Sequence, residues 1–153
     1  LQDAAAFLCN IPARFELERS FYAMRRLGPL SPDDLSAATV RIYAEWYGGQ
    51  LASIDDLFWA RKLHFFIPGV AFYNYPYTFG FLFANLVYEA LRPQGAAAEA
   101  AYRRLLARTG DDDAETIARE ELGLDLGDVA TWRRAITGIA RDVADYEAAV
   151  LGS

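Results

Sequence analysis

The chain has 153 residues, 54% of them hydrophobic and 24% charged, which is enough apolar material for the core of one domain and too much for a disordered chain. Its net charge of −6, from 15 Lys+Arg against 21 Asp+Glu, excludes a general nucleic-acid binder, which needs a basic surface. A single cysteine, Cys9, and a single histidine, His64, exclude a disulfide framework and a self-contained Cys/His zinc site.

Residues 1–9 carry Asp3 and lack the basic start of a signal peptide, so the expected location is cytoplasmic. Residues 11–27 read as a loosely amphipathic helix, with Pro12 near its start and a stop at Gly28-Pro29. The next start is sharply marked. Ser31 is the N-cap and Pro32 the first helical residue, while Asp33 and Asp34 sit in the first turn, where carboxylates accept from free N–H groups. Leu35, Ile42, Tyr43 and Trp46 give that helix its apolar stripe, and Gly48-Gly49 ends it. A third helix is expected over 54–66, stopping before Pro68.

Pro76 signals a further start, so a helix is expected over 77–91, apolar almost all round and therefore central. Helices over 96–108, 114–122 and 128–151 follow, separated by Gly110 with Asp111–Asp113, then by Gly123 and Gly127. No strand-like alternation lasts more than a few residues. The expected fold is one all-α domain over 1–153, a bundle of six to seven helices. Residues 65–88 carry no charge over a length that would cross a bilayer, but Pro68, Gly69, Pro76, Gly80, two asparagines and four tyrosines argue for a buried core segment and against a membrane span.

Chemistry concentrates in residues 64–81, HFFIPGVAFYNYPYTFGF, which gather His64, Tyr73, Tyr75 and Tyr77 around two prolines and two glycines. Tyrosines, and a single histidine in an apolar setting, are more often core residues than catalysts. Here the tyrosines bracket a broken stretch of backbone, and Pro76 fixes a helix start that aims its neighbours. Tyr73 and Tyr77 stand four apart, while Tyr75 falls between them and points elsewhere. Phenol hydroxyls and an imidazole N–H set on rigid backbone stabilise an oxyanion. They are poor nucleophiles near neutral pH, since a phenol titrates near pH ~10. There is no Gly-x-Ser-x-Gly elbow, and Cys9 has no second histidine to pair with. The cluster reads as half of an active site, without the half that activates water.

The segment HFFIPGVAFYNYPYTFGFLFANLVYEAL resembles the final core segment of oligoendopeptidase F-type zinc metallopeptidases, relatives of thimet oligopeptidase. IPARFELERSFY is similar to that family's helix after the metal site, and LSPDDLSAATVRIYAEWYG to its Leu-Thr/Ser-x-x-x-Leu…Tyr-Tyr-Gly stretch. GDDDAETIAREELGLD is similar to its closing helices. The resemblance covers essentially the whole chain, and FYNYPYTFG is its most specific part. It implies an all-helical zincin-type peptidase that cleaves short peptides in a deep channel with one zinc, held by His-Glu-x-x-His and a glutamate on the next helix. With one histidine this chain has no such motif. The resemblance therefore implies the C-terminal part of a longer catalytic domain, inactive alone, whose upstream portion supplies zinc and general base.

Carried over residue by residue, the resemblance assigns His64 to peptide binding near the metal, and Tyr73 and Tyr77 to substrate binding and stabilisation of the tetrahedral intermediate. It places Gly69 and Gly80 beside the substrate and leaves Tyr75 a substrate-binding residue of undefined role. Glu16 and Glu18 read as helix-surface or supporting groups, because the family's third zinc ligand lies further upstream. This chain is expected to hold no metal of its own. Partners implied are oligopeptide substrates and the upstream part of the same enzyme, with no nucleic acid or membrane, and with self-association of the isolated chain through uncovered apolar surface. The other reading is a stand-alone, non-enzymatic helical domain that binds peptides or a partner through the aromatic cleft. Asp111–Asp113 read as a capped turn, since an EF-hand spacing is missing. The arginine pairs at 25–26, 103–104 and 133–134 read as helix-face pairs, and Trp46, Trp59 and Trp132 as core anchors.

Overall fold

The structure, a computed structural model, describes residues 1–152, and the protein is all-α, with no strand among the described residues. The chain order is α1 (Gln2–Ala5), α2 (Ile11–Arg25), α3 (Pro32–Trp46), α4 (Phe58–Arg61), α5 (Tyr75–Leu91), α6 (Ala98–Ala107), α7 (Ala114–Leu122) and α8 (Val129–Leu151). Six of these have nine or more residues. Among the described residues no helix is long and apolar enough to cross a membrane. The chain forms two compact units, 1–79 and 80–153, each with its own core.

The first unit is built on α2 and α3. Ala13 and Leu17 of α2 meet Ala38, Ile42 and Tyr43 of α3, and Phe21, Met24, Tyr47, Phe58, Trp59 and Phe65 close around them. Helix α3 starts as its sequence dictates. The Ser31 hydroxyl accepts the Asp34 N–H at 3.2 Å, and the Asp34 carboxylate accepts the Ser31 N–H at 2.8 Å, a reciprocal capping box. The bonds that the Asp34 carboxylate accepts, from the Ser31 N–H and from the Ser31 hydroxyl at 2.7 Å, hold its carboxyl below the ordinary pKa. At the other end of the stripe, Trp46 lies in the last turn of α3 and is exposed, not a core anchor; Tyr47, the next residue, turns to the core in its place.

Helix α2 has an extension that its sequence does not announce. The chain is already helical from Gln2, through a π-helical turn at Ala6–Asn10 that runs into Ile11. Pro12 lacks an N–H and its ring would collide with the carbonyl four residues back in a regular helix; the wider turn accommodates it. The expected helix over 54–66 is replaced by the single turn α4 and a 3-10 turn at Leu63–Phe65, with Lys62 extended between them. Side-chain bonds, local and long-range, win over helix propensity here. Asp55 accepts the Leu57 N–H at 3.2 Å and pairs with Arg61, and Trp59 Nε1 donates to Ser36 Oγ at 3.2 Å. The break turns the chain so that Phe65 reaches the core, edge-on to Phe21.

In the second unit α5 serves two clusters. Val87 and Leu91 pack with Ala101 and Leu105 of α6 and Ile117 of α7, while Leu86 packs with Ala118, Leu124 and Ala135. The expected helix over 96–108 begins instead with a 3-10 segment, Arg92–Ala97, kinked at Gly95, and continues as α6. Asp113 and Asp128 cap α7 and α8, accepting the N–H of Thr116 and Ala130 at 2.8 Å each. Gly123 ends α7 in the left-handed region (φ 64°). Its N–H reaches the Arg119 carbonyl and the Leu124 N–H the Ala118 carbonyl, which drops Leu124 into the core. Trp59 and Trp132 are half-buried, each with its indole N–H bonded, Trp132 to the Leu126 carbonyl at 2.8 Å.

Leu17 is fully buried and Leu27 is 91% exposed. Leu17→Ala is expected to destabilise the first unit by about 2–5 kcal/mol in urea denaturation, and Leu27→Ala to stay within about 0.5 kcal/mol of the parent. Equal effects of the two would contradict the core assignment.

Candidate functional site

The candidate site lies in the first unit, on the segment between Lys62 and the first turn of α5. Its backbone direction is set at Phe72, the only non-glycine residue with positive φ (54°) among the described residues. An L-residue pays for this conformation, and neighbours must hold it there. Glu18 does so. Its side chain reaches from α2, only 3% exposed, and Oε1 accepts the Phe72 N–H at 2.7 Å and the Tyr22 hydroxyl at 3.0 Å. Burial, and then the bond to Glu18, raise the Tyr22 phenol above its ordinary pKa, so the hydroxyl stays a donor. The Phe72 ring is packed against Phe15 (centroids 4.9 Å) and Tyr22 (5.6 Å). Of the two readings for Glu18, the supporting one is correct and the surface one is not. Glu16, two residues earlier and so on another side of the helix, is the more exposed group and pairs with Arg19.

Beyond Phe72 the chain enters α5, where the Tyr77 N–H bonds the Asn74 carbonyl at 3.2 Å and the Thr78 hydroxyl donates to the Phe7 carbonyl at 2.6 Å. This start brings Tyr73 and Tyr77 together. Their rings meet edge-on with centroids 6.0 Å apart, and the Tyr77 hydroxyl donates to the Tyr73 hydroxyl at 3.2 Å. That hydrogen bond, the largest contribution, raises the Tyr77 phenol above its ordinary value. Both residues are about half exposed. The His64 ring contacts Tyr73 (6.0 Å) and Phe65 (4.5 Å). His64, Tyr73 and Tyr77 thus form one continuous group; the spacing of four implied the tyrosine pair, and the fold adds His64 to it.

Tyr75 is exposed and its hydroxyl makes no hydrogen bond among the described residues, so it stands apart from the group. Gly69 has φ 80°, a conformation that disfavours any side chain. Gly80 lies inside α5 with open space where a Cβ would be, so nothing in the fold demands a glycine there. Cys9 is half-buried and free.

Asn74, Arg14 and Lys62 support the group from behind. Asn74 is 5% exposed; its Nδ2 lies 2.8 Å from His64 Nε2, and its Oδ1 accepts from Arg14 Nη1 at 3.4 Å. Arg14 and Lys62 both place their charge over the Phe58 ring, at 5.1 and 5.0 Å from its centre. Arg14 and Glu18 are one helical turn apart on α2, a spacing that puts both on one face, but nothing in the sequence says that the face meets a loop. The Asn74 signal is weaker still, since an asparagine before a helix start is an ordinary turn residue.

Burial, the largest effect, pushes the His64 pKa below its ordinary value. Arg14 and Lys62 push the same way, and Glu18 opposes them. The group therefore offers neutral hydrogen-bond donors under positive potential, an arrangement suited to a polarised carbonyl or an anion. Among the described residues no group of three or more His, Cys, Asp or Glu is placed to hold a metal ion. Comparison of the chain with protein-family models, with curated proteins and with solved structures finds no match.

Because His64 binds a proton less readily folded than unfolded, stability is full above about pH 6.5 and is lost as pH falls from there through the lowered native pKa. The imidazole proton resonances are expected to titrate with a midpoint below 6.5, and His64→Gln to remove this part of the acid dependence. A midpoint above 6.5 would contradict the assignment.

Proposed function

We propose that this chain is the C-terminal, substrate-channel part of an oligoendopeptidase F-like zinc metallopeptidase, contributing His64, Tyr73 and Tyr77 as donors to a bound peptide. The observation that supports this most is the joined pair of half-exposed tyrosine hydroxyls beside the imidazole, at the positions where the family resemblance puts its substrate-binding tyrosines and histidine. The residues of this chain do not fit a zinc site, since it has one histidine and no placed cluster of ligands among the described residues. Zinc and the general base belong, in this reading, to the upstream part of the enzyme, and the role of this chain is to bind and orient the scissile carbonyl and to receive its developing charge.

The tyrosine pair has a consequence for that role. One of its two protons is spent in the hydrogen bond between the hydroxyls, and the other remains to donate outward. The inner phenol then polarises the outer one, and the two act as a unit. Arg14 and Lys62 add positive potential on the side of His64.

A second reading is a peptide- or partner-binding domain without catalysis. It is favoured by the exposed apolar side chains around the cluster: Phe66, Ile67, Tyr75 and Phe79 as well as the tyrosine pair. The native mass of the gene product separates the two. A mass well above the 17.1 kDa of this chain, with zinc-dependent cleavage of short peptides, supports the peptidase; a native mass near that value, with peptide binding but no cleavage, supports the binding domain.

In the complete enzyme Tyr73→Phe, which removes the hydroxyl whose proton is left to donate outward, is expected to lower kcat by about 10²–10³ with a smaller effect on KM, and Tyr77→Phe, which removes the phenol that polarises it, to lower kcat by about 10-fold. The Tyr73→Phe/Tyr77→Phe double variant is expected to lose about as much as the worse single one, because the hydroxyls act together. Steady-state kinetics check both, and a kcat for Tyr77→Phe within about twofold of the parent would overturn the role given to it.

A further inference from the structure

We infer that Arg14 and Asn74 are positioning residues that fix His64 as the neutral tautomer with its proton on Nδ1. A guanidinium only donates, so the Arg14 Nη1 contact at 3.4 Å identifies the facing amide atom of Asn74 as its oxygen. The other amide atom, 2.8 Å from His64 Nε2, is then the nitrogen, which also only donates. Nε2 must therefore present its lone pair, and a neutral imidazole carries its one proton on the remaining nitrogen.

The surroundings of the imidazole hold these hydrogen bonds in the same sense. The amide is buried and held at both ends, so it cannot turn over without leaving Arg14 facing an NH2 group. Among the described residues Arg14 and Lys62 are the cations acting on the ring, and Glu18, the carboxyl group acting on it, is engaged by the Phe72 amide and the Tyr22 hydroxyl. Tyr73 and Phe65 cover the ring through their own rings.

The consequence is chemical. Nε2, the lone pair a general base would use, is occupied by Asn74, and the atom left for a ligand is a donor, Nδ1–H. His64 therefore binds an acceptor such as a peptide carbonyl and does not remove a proton from one. The choice of a peptide carbonyl rests on the function proposed above; the tautomer does not.

Long-range 1H–15N correlation spectra of the whole chain at pH 8 read the tautomer directly, without any assay of activity. The Nδ1–H form is expected in at least about tenfold excess. Asn74→Asp, which offers only acceptors to the ring, is expected to invert the ratio in favour of Nε2–H. If circular dichroism shows that this variant has lost its helices, Arg14→Met serves instead, and is expected to cut the excess at least about threefold. A parent protein with mainly Nε2–H, or a ratio unmoved by the variants, overturns the inference. Failure of the peptidase reading would show separately, as absent peptide cleavage in a protein whose His64 keeps the Nδ1–H form.

Discussion

Everything at the candidate site depends on the hydrogen bond from the Phe72 N–H to the Glu18 carboxyl group. Holding a phenylalanine in the left-handed region costs about 1–3 kcal/mol. The buried bonds to Glu18, together with two aromatic contacts of about 0.5–1.5 kcal/mol each, offset it. What this arrangement secures is direction. The residue after Phe72 is Tyr73, the next is Asn74, and one turn on is Tyr77, so a single fixed backbone turn places the exposed phenol pair and the buried amide that contacts His64.

The same constraint explains why α2 carries so many roles. Leu17 and Ala13 fill the core, while Arg14 and Glu18, one turn apart, support the segment that bears the tyrosines. Arg14 supplies both a hydrogen bond to Asn74 and positive charge near His64. The helix is therefore a platform as well as a packing element, and a substitution on its polar face is felt at the site. The second unit has its own core around Leu86, Val87 and Leu91 of α5.

How much of this was legible in the sequence follows from how local each feature is. The N-cap at Ser31, the cap at Asp113 and the stop at Gly123 are decided within a few residues, and all lie where the sequence puts them; Asp128, expected as the first helical residue, is instead the cap, one position before the helix starts. The meeting of Tyr73 with Tyr77 was legible because it follows from a four-residue spacing next to Pro76. The lost helix over 54–66 was not, because Trp59 bonds Ser36 and Phe65 meets Phe21, partners far away in the chain. Glu18 and Asn74 were not legible for the same reason. A glutamate in an ELER run looks like a solvated helix face, and only the fold brings the Phe72 amide to it.

The account is tested most directly by hydrogen exchange at the Phe72 amide, in the parent and in Glu18→Ala, with the Leu86 and Val87 amides as a reference in the other unit. A slowly exchanging Phe72 amide in the parent, which becomes fast in the variant while the reference amides keep their rates, is the expected result. A Phe72 amide that already exchanges in the parent as fast as an open loop would contradict the account, since nothing would then hold the turn that sets Tyr73, Asn74 and Tyr77 in place.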